Sequence, residues 1–208
     1  MADDPDVNDA YALKSPEDVK ALYQTWAHSY DTAFHDGQGY QLPREVAAGF
    51  LAGNGRGPVL DVGAGTGLVG QHLRAAGIDP IDGVDLSDDM LRVADMKGHY
   101  RHLMAGDITR PLSLKGEPYA GVVSAGTFTF GHVGPGALQH LLDVADTGAV
   151  FAISVNAAHF DADGFGPALE ALSDQITDLN FRQVRIYDDR ADEAHRNDMA
   201  RLVLFRNA

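Results

Sequence analysis

A glycine-rich turn is the part of this sequence best suited to hold a small ligand. Gly63, Gly65 and Gly67 follow the short apolar run 59–62 and precede the helical stretch 68–76. Glycine tolerates positive φ angles and lets a ligand come close to the backbone. In an open α/β sheet, the turn after the first strand lies at the carboxyl ends of the strands, where ligands bind. The turn is therefore predicted to be a binding loop.

Two carboxylates accompany this turn. Asp61 lies in the first predicted strand, and Asp85 ends the second, 81–85. A carboxylate at the end of the second strand accepts hydrogen bonds from both hydroxyls of an adenosine ribose. Since that geometry serves NAD and S-adenosylmethionine alike, Asp85 predicts an adenosine without choosing between the two cofactors.

The register of the turn favours one of these cofactors. Residues 65–70 formally match the dinucleotide fingerprint GxGxxG. Two features disagree with this match. Asp61 would repel a pyrophosphate but not a zwitterionic amino acid that carries a sulfonium. The fingerprint would also place Leu68 and Val69 inside the turn, although they are typical of the first apolar turn of a helix. A phosphate-binding P-loop is excluded because no Lys-Ser/Thr pair follows the glycines. An NAD-dependent oxidoreductase on a Rossmann fold remains the alternative.

The elements that would position these residues alternate along the chain. Strands are predicted at 59–62, 81–85, 101–105, 120–124 and 148–155, and helices at 15–34, 44–51, 68–76, 87–97, 135–144 and 164–179. The last two apolar segments, 183–187 and 200–205, are joined by a short polar stretch, which favours an antiparallel pair. The predicted fold is α/β: a single doubly wound, Rossmann-like, seven-stranded sheet with a reversed last strand and helices on both faces.

Length and composition limit the class of protein. The chain has 208 residues, enough for one domain, and a formal net charge of −14. We expect an acidic, disordered tail at 1–14 and one domain at 15–208, with an N-terminal helical cap at about 15–55.

The acidic balance disfavours nucleic-acid partners. There is no cysteine. We also expect a cytoplasmic protein with no metal and no membrane partner, either a monomer or a homodimer.

Three segments, in their order and spacing, resemble the motifs of the class I S-adenosylmethionine-dependent methyltransferases. They are 59–67 (VLDVGAGTG), 83–87 (GVDLS) and 106–108 (GDI), and the resemblance spans about residues 15–160. The segments 23–31 (YQTWAHSYD) and 131–133 (GHV) further resemble the Williams–Beuren-region methyltransferase-like proteins. The resemblance implies S-adenosyl-L-methionine as cofactor and a methyl acceptor that is a small molecule or a protein side chain.

The resemblance also implies a role for each matching residue in binding the cofactor. Those that would face the methionine part are Asp61, Gly63, Ala64, Gly65 and Gly67. Those that would hold the adenosine are Asp85 on the ribose, Leu86, Met90 and Ile108 against the adenine, and Asp107, in the loop begun by Gly106, on its amino group. Those that would lie beside the sulfonium or close the site are Ser124, Ala125, Tyr23, Trp26 and Tyr30.

A hydroxyl acceptor usually needs a general base, whereas a neutral amine does not. His132 is our candidate because it follows the fourth strand on the cofactor side, and His159 is the second choice. The segment after the fourth strand, 124–128 (SAGTF), differs from the Asn-Pro-Pro-Tyr type used to methylate amino groups on bases, which disfavours that reaction. A non-catalytic domain that binds the cofactor also stays open, because a fold alone does not establish activity.

Overall fold

The computed structural model describes residues 22, 37–112, 116–130 and 132–208. Its strands are β1 Val59–Val62, β2 Ile81–Asp85, β3 His102–Ala105, β4 Tyr119–Phe128, β5 Ala145–Asn156, β6 Ile176–Arg185 and β7 Met199–Asn207. Its helices, numbered from the first one described in full, are α1 Leu42–Ala52, α2 Leu68–Ala75, α3 Asp88–Met96, α4 Ala137–Leu142, α5 Ala157–Ala162 and α6 Phe165–Ala171.

The seven strands form one sheet in the order β3-β2-β1-β4-β5-β7-β6. The β1 strand pairs in parallel with both β2 and β4, so the winding direction reverses between β1 and β4. The last strand, β7, is antiparallel to both of its neighbours, β5 and β6. This topology confirms the predicted doubly wound sheet with a reversed last strand.

Alternate residues of the strands build two separate cores, one on each face of the sheet. Val59 on β1 and Val123 on β4 pack with α1 and α2 on the first face. Their neighbours Leu60 and Val122 pack with α4, α5 and α6 on the second. All four residues of β1 are buried, as expected of a parallel strand covered on both faces. Helices on both faces are thereby confirmed.

The boundaries of four elements, α6, β6, β4 and β5, differ most from prediction. The helix predicted at 164–179 ends at Ala171, and Ile176 already begins β6. Tertiary pairing decides this boundary, because Ile176 and Thr177 pair with the end of β7. The strands β4 and β5 are each longer than predicted, since β4 continues to Phe128 and β5 already begins at Ala145.

The N-terminal part of the chain is described only in part. The predicted helix at 15–34, like the predicted tail at 1–14, lies outside the described residues except for Leu22. Leu22 packs against the core on the α1 face. Within the described ranges, none of the helices combines the length and the apolar character needed to cross a bilayer.

Candidate functional site

A cavity opens at the carboxyl ends of β1, β2 and β4, beside the point where the winding reverses. The residues that line it are Gly63, Gly65, Asp85, Leu86, Met90, Gly106, Asp107, Ile108, Thr109, Ala125, Gly126, Thr127, His132 and Val133. The wall is mostly apolar and includes the carboxylates of Asp85 and Asp107. This is the position at which doubly wound sheets bind their ligands.

The glycine turn needs its glycines for two different reasons. Gly63, Gly65 and Gly67 all have positive φ angles, of 67°, 53° and 90°. A side chain on Gly63 would run into Thr127, whereas one on Gly65 would meet nothing within 4 Å and would project into open space. The space beside Gly65 therefore accommodates a ligand close to the backbone. Gly67 is the N-cap of α2, so Leu68 and Val69 lie in the helix, as predicted.

Asp85 connects the glycine turn to the segment that follows β2. Its Oδ2 accepts a hydrogen bond from the Gly65 amide at 2.8 Å, and its Oδ1 accepts one from the Ser87 amide at 2.8 Å. Burial raises the pKa of Asp85, although these backbone amides oppose the rise. Each carboxylate oxygen has a second lone pair, so Asp85 retains the capacity to accept from a ligand hydroxyl.

Apolar side chains form a slot beyond Asp85. Leu86, Met90 and Ile108 line this part of the cavity, and Met90 is 2% exposed. Asp107 lies at the end of the slot, where its Oδ1 accepts from the Thr109 hydroxyl at 2.6 Å and from the Thr109 amide at 2.9 Å. These hydrogen bonds hold the pKa of Asp107 below its usual range. An ionised hydrogen-bond acceptor therefore borders this apolar part of the cavity.

The wall contributed by β4 is shaped by a bulge that the sequence does not predict. Between the pairs Ser124–Ile153 and Phe128–Val155, three residues of β4 oppose one residue of β5. The Gly126 amide in this bulge donates to the Ser154 hydroxyl at 3.1 Å. Bulges next to binding sites redirect side chains, and Ala125, Gly126 and Thr127 all line the cavity.

Four of the predicted cofactor residues are described but are not among the residues that line the cavity: Asp61, Ala64, Gly67 and Ser124. Asp61 is fully buried beneath the turn, where its Oδ2 accepts from the Tyr100 hydroxyl at 2.6 Å. Burial raises the pKa of Asp61 to about 7, with the nearby Asp85 adding to the rise. Ser124 is also buried, and its hydroxyl donates to the Val62 carbonyl at 2.7 Å. Both side chains support the turn from within.

The two candidate bases lie in different surroundings. His132 lines the cavity, and its Nδ1 lies 3.0 Å from the Phe130 carbonyl. His159 is 2% exposed; its Nε2 lies 3.0 Å from the Val133 carbonyl, and its Nδ1 lies 3.4 Å from Asp163. Since a carbonyl only accepts, His159 donates to the loop that carries His132 and supports it from behind. The aromatic residues predicted to close the site, Tyr23, Trp26 and Tyr30, lie outside the described residues.

Sequence reasoning missed several residues of the cavity wall. Thr109 was detectable, because a threonine two positions after an aspartate is a common partner for its carboxylate. Gly126 and Thr127 lie on β4 beyond position 124, where the predicted strand ends, and Val133 is predicted only as part of the segment 131–133 and not as a cavity residue.

Comparison with known protein families gives one match. Residues 59–148 match a family model described as a methyltransferase domain. The matched segment contains the glycine turn, Asp85 and the loop with Asp107, and the cofactor of such domains is S-adenosylmethionine. A search of curated protein sequences found no match.

Solved structures give a broader similarity. Magnesium protoporphyrin IX methyltransferase from Synechocystis, with S-adenosylmethionine bound, aligns at 17% identity and a TM-score of 0.64, over 95% of this chain and 99% of that one. A TehB-like S-adenosylmethionine-dependent methyltransferase from Corynebacterium glutamicum aligns at 19% identity and 0.64, over 90% and 99%. At these identities the likeness concerns the fold, which is the Rossmann-like fold of methyltransferases.

Proposed function

We propose that this chain, whose residues 59–148 match a methyltransferase domain model, is a class I S-adenosylmethionine-dependent methyltransferase acting on a small molecule or a protein side chain. One observation carries the proposal. The cavity unites the open backbone at Gly65, the carboxylate of Asp85 and an apolar slot, and all three belong to the matched segment.

The residues of the cavity fit the cofactor in a defined order. Asp85 would hold the ribose hydroxyls, Leu86, Met90 and Ile108 would cover the adenine, and Asp107 would accept from its amino group. The backbone at Gly63 and Gly65 would run beside the methionine part, with the ionisable Asp61 beneath it. Buried acids and a chain charge of −14 favour a ligand with a positive centre.

The bound cofactor supplies a methyl group that is activated by a positively charged sulfur. The main task of the protein is to hold the acceptor close to that group and in line with it, an effect worth up to about 7–11 kcal/mol in favourable cases. The β4 bulge and the loop that carries His132 form the wall on this side, so we propose that the acceptor binds between Gly126 and Val133.

His132 is proposed as the general base for a hydroxyl acceptor. Since the Phe130 carbonyl takes a hydrogen bond from Nδ1, the proton of the neutral ring is on Nδ1 and the lone pair is on Nε2. Burial lowers the pKa of His132, with His159 nearby adding to the effect, so the ring is neutral at pH 7. A neutral imidazole can accept the proton that the acceptor hydroxyl loses.

We also propose a role for the aromatic residues of the N-terminal segment. Tyr23, Trp26 and Tyr30 would close the cavity over the cofactor. The narrower resemblance to the Williams–Beuren-region proteins depends on segment 23–31, which lies outside the described residues, and on His132 and Val133, which line the cavity.

Calorimetry with S-adenosylmethionine, S-adenosylhomocysteine and NAD tests the cofactor assignment. The first two should bind and NAD should not; binding of NAD alone would refute the assignment. Asp85→Ala should weaken binding by about tenfold or more, since it removes a charged acceptor for two hydroxyls. Asp174→Ala is the matched control, because Asp174 is an exposed carboxylate just before β6, at the opposite edge of the sheet.

Transfer of a labelled methyl group into pools of metabolites and peptides tests activity. Label in a product supports a methyltransferase and identifies the acceptor. Cofactor binding without transfer to either pool would instead support a non-catalytic binding domain.

A further inference from the structure

Tyr100 lies between α3 and β3 and belongs to none of the motifs described above. Its hydroxyl donates to Asp61 Oδ2 at 2.6 Å and accepts from the Gly70 amide at 3.2 Å. Asp61 is on β1, before the glycine turn, and Gly70 is on α2, after it. One side chain from a distant part of the chain therefore connects the two ends of the turn.

The hydrogen bond to Gly70 replaces a missing helix cap. The first amides of a helix have no partner within the helix, and a serine, threonine or aspartate at the N-cap usually accepts from one of them. The N-cap of α2 is Gly67, which has a φ of 90° and no side chain to accept. The Tyr100 oxygen supplies an acceptor at the third helical residue instead. The amide of Gly70, in the first turn of α2, is thus held by the Tyr100 oxygen, with the Asp61 carboxyl also acting on it.

The ring of Tyr100 limits the space at two glycines of this region. A side chain on Gly67 would come within 2.9 Å of the ring, and one on Gly70 would overlap it. Gly70 is also the last glycine of the formal dinucleotide fingerprint. Because the Tyr100 ring occupies the space beside position 70, only a glycine fits there. The glycine at this position is therefore no evidence for a pyrophosphate-binding site.

The charges around Tyr100 fix the direction of its hydrogen bonds. Burial raises the pKa of Tyr100 well above its ordinary range, and the neighbouring carboxylates of Asp61 and Asp85, the ionisable groups that act on it, raise it further. The hydroxyl thus keeps its proton at any ordinary pH. It donates that proton to Asp61, which leaves its oxygen free to accept from Gly70.

We infer that Tyr100 is a positioning residue for the glycine turn, holding the turn in its ligand-binding shape by joining Asp61 to the first turn of α2. Its effect on S-adenosylmethionine rests on the proposed function, whereas its effect on the turn does not. The inference therefore makes one claim about the ligand-free protein and one about the complex.

The first experiment measures amide hydrogen exchange in the ligand-free protein. Tyr100→Phe keeps the ring and removes the hydroxyl. The matched control is Tyr119→Phe, because Tyr119 makes a buried hydrogen bond of the same type, to Asp82 at 2.9 Å, at the amino ends of β2 and β4. We expect exchange at Gly70 and at residues 63–67 to accelerate about tenfold in Tyr100→Phe, the effect of one lost hydrogen bond. Equal exchange in these two variants would overturn the inference.

The second experiment measures S-adenosylmethionine affinity below the melting temperatures of all variants. Tyr100→Phe should weaken binding about tenfold, whereas Tyr119→Phe should bind as the wild type does, even where its melting temperature is lower. In an Asp61→Ala background the substitution at Tyr100 should have a smaller effect, because the connection is already broken. If Tyr100 had only a structural role, Tyr100→Phe would lower the melting temperature. The affinity for S-adenosylmethionine would then be unchanged, and Asp61→Ala would not alter the effect of the substitution.

The two experiments separate failure of the inference from failure of the proposed function. A wild-type protein that does not bind S-adenosylmethionine would refute the function, while amide exchange would still decide the role of Tyr100. Should Tyr100→Phe not fold, Asp61→Ala removes the other partner of the hydroxyl and is expected to give the same exchange pattern. Normal protection of residues 63–70 in that variant would overturn the inference.

Discussion

Replacing Asp61 with asparagine is expected to remove a strong pH dependence from the stability of this fold. Asp61 is fully buried on β1, and burial raises the pKa of its carboxyl from 3.8 to about 7, although the hydrogen bond from Tyr100 opposes the rise. In the unfolded chain the same carboxyl is in water and ionises near pH 4. The folded protein therefore keeps a proton over a pH range in which the unfolded chain loses it.

The size of the effect follows from this difference in proton binding. Where the folded state binds one more proton, the free energy of unfolding falls by ~1.4 kcal/mol for each unit of rising pH. From pH 5 to pH 7 the wild type should lose roughly 2 kcal/mol relative to Asp61→Asn, because the slope declines as the folded-state carboxyl ionises near pH 7. Below about pH 4 both states are protonated, and above about pH 8 both are ionised, so the difference between the two proteins becomes constant.

Urea unfolding, followed by far-ultraviolet circular dichroism at half-unit steps from pH 5 to pH 8, measures this difference. Subtracting the two curves cancels the contributions of all groups that the proteins share. Asp174→Asn serves as the matched control for replacing a carboxyl by an amide, because Asp174 is exposed and lies just before β6. Curves for the wild type and Asp61→Asn that run parallel across this range would refute the reasoning that burial governs the ionisation of Asp61.

Three further predictions concern the walls of the cavity. Gly63→Ala should destabilise the fold by about 2 kcal/mol or more in urea unfolding, because φ is 67° there and the new methyl group meets Thr127; adding Thr127→Ala should recover part of the loss. His132→Gln should abolish methylation of a hydroxyl acceptor without changing cofactor affinity, and the wild-type rate should reach its plateau below neutral pH, because burial lowers the pKa of His132. Ser154→Ala should cost about 1 kcal/mol in urea unfolding, because the Gly126 amide loses its acceptor.

The features that sequence reasoning predicted correctly are local. The run Val59–Val62 is apolar throughout, as befits a strand buried on both faces, and the glycines after it mark a turn with positive φ angles. Ser87 caps α3 by accepting from the Met90 amide, as its position before two acidic residues predicts. Each of these signals lies within a few neighbouring residues.

The features that it missed depend on contacts between distant segments. The boundary between α6 and β6 follows from pairing with β7, and the bulge at Ala125 to Thr127 follows from the register against β5. Neither partner strand is adjacent in sequence to the segment that it shapes, so no local pattern reports the outcome.

Asp61 and Tyr100 show the difference between what the sequence predicts and what only the tertiary structure decides. The sequence by itself determined the order of strands and helices, the glycine turn and the placing of Asp85 beside it, because hydrophobic periodicity and glycine conformation act over short stretches. Only the tertiary structure decided that Asp61 is buried against Tyr100 beneath the turn rather than in the cavity wall. The physical reason is that burial and hydrogen bonding depend on which segments meet in space, and Tyr100 reaches Asp61 only after β1, α2 and β3 have assembled.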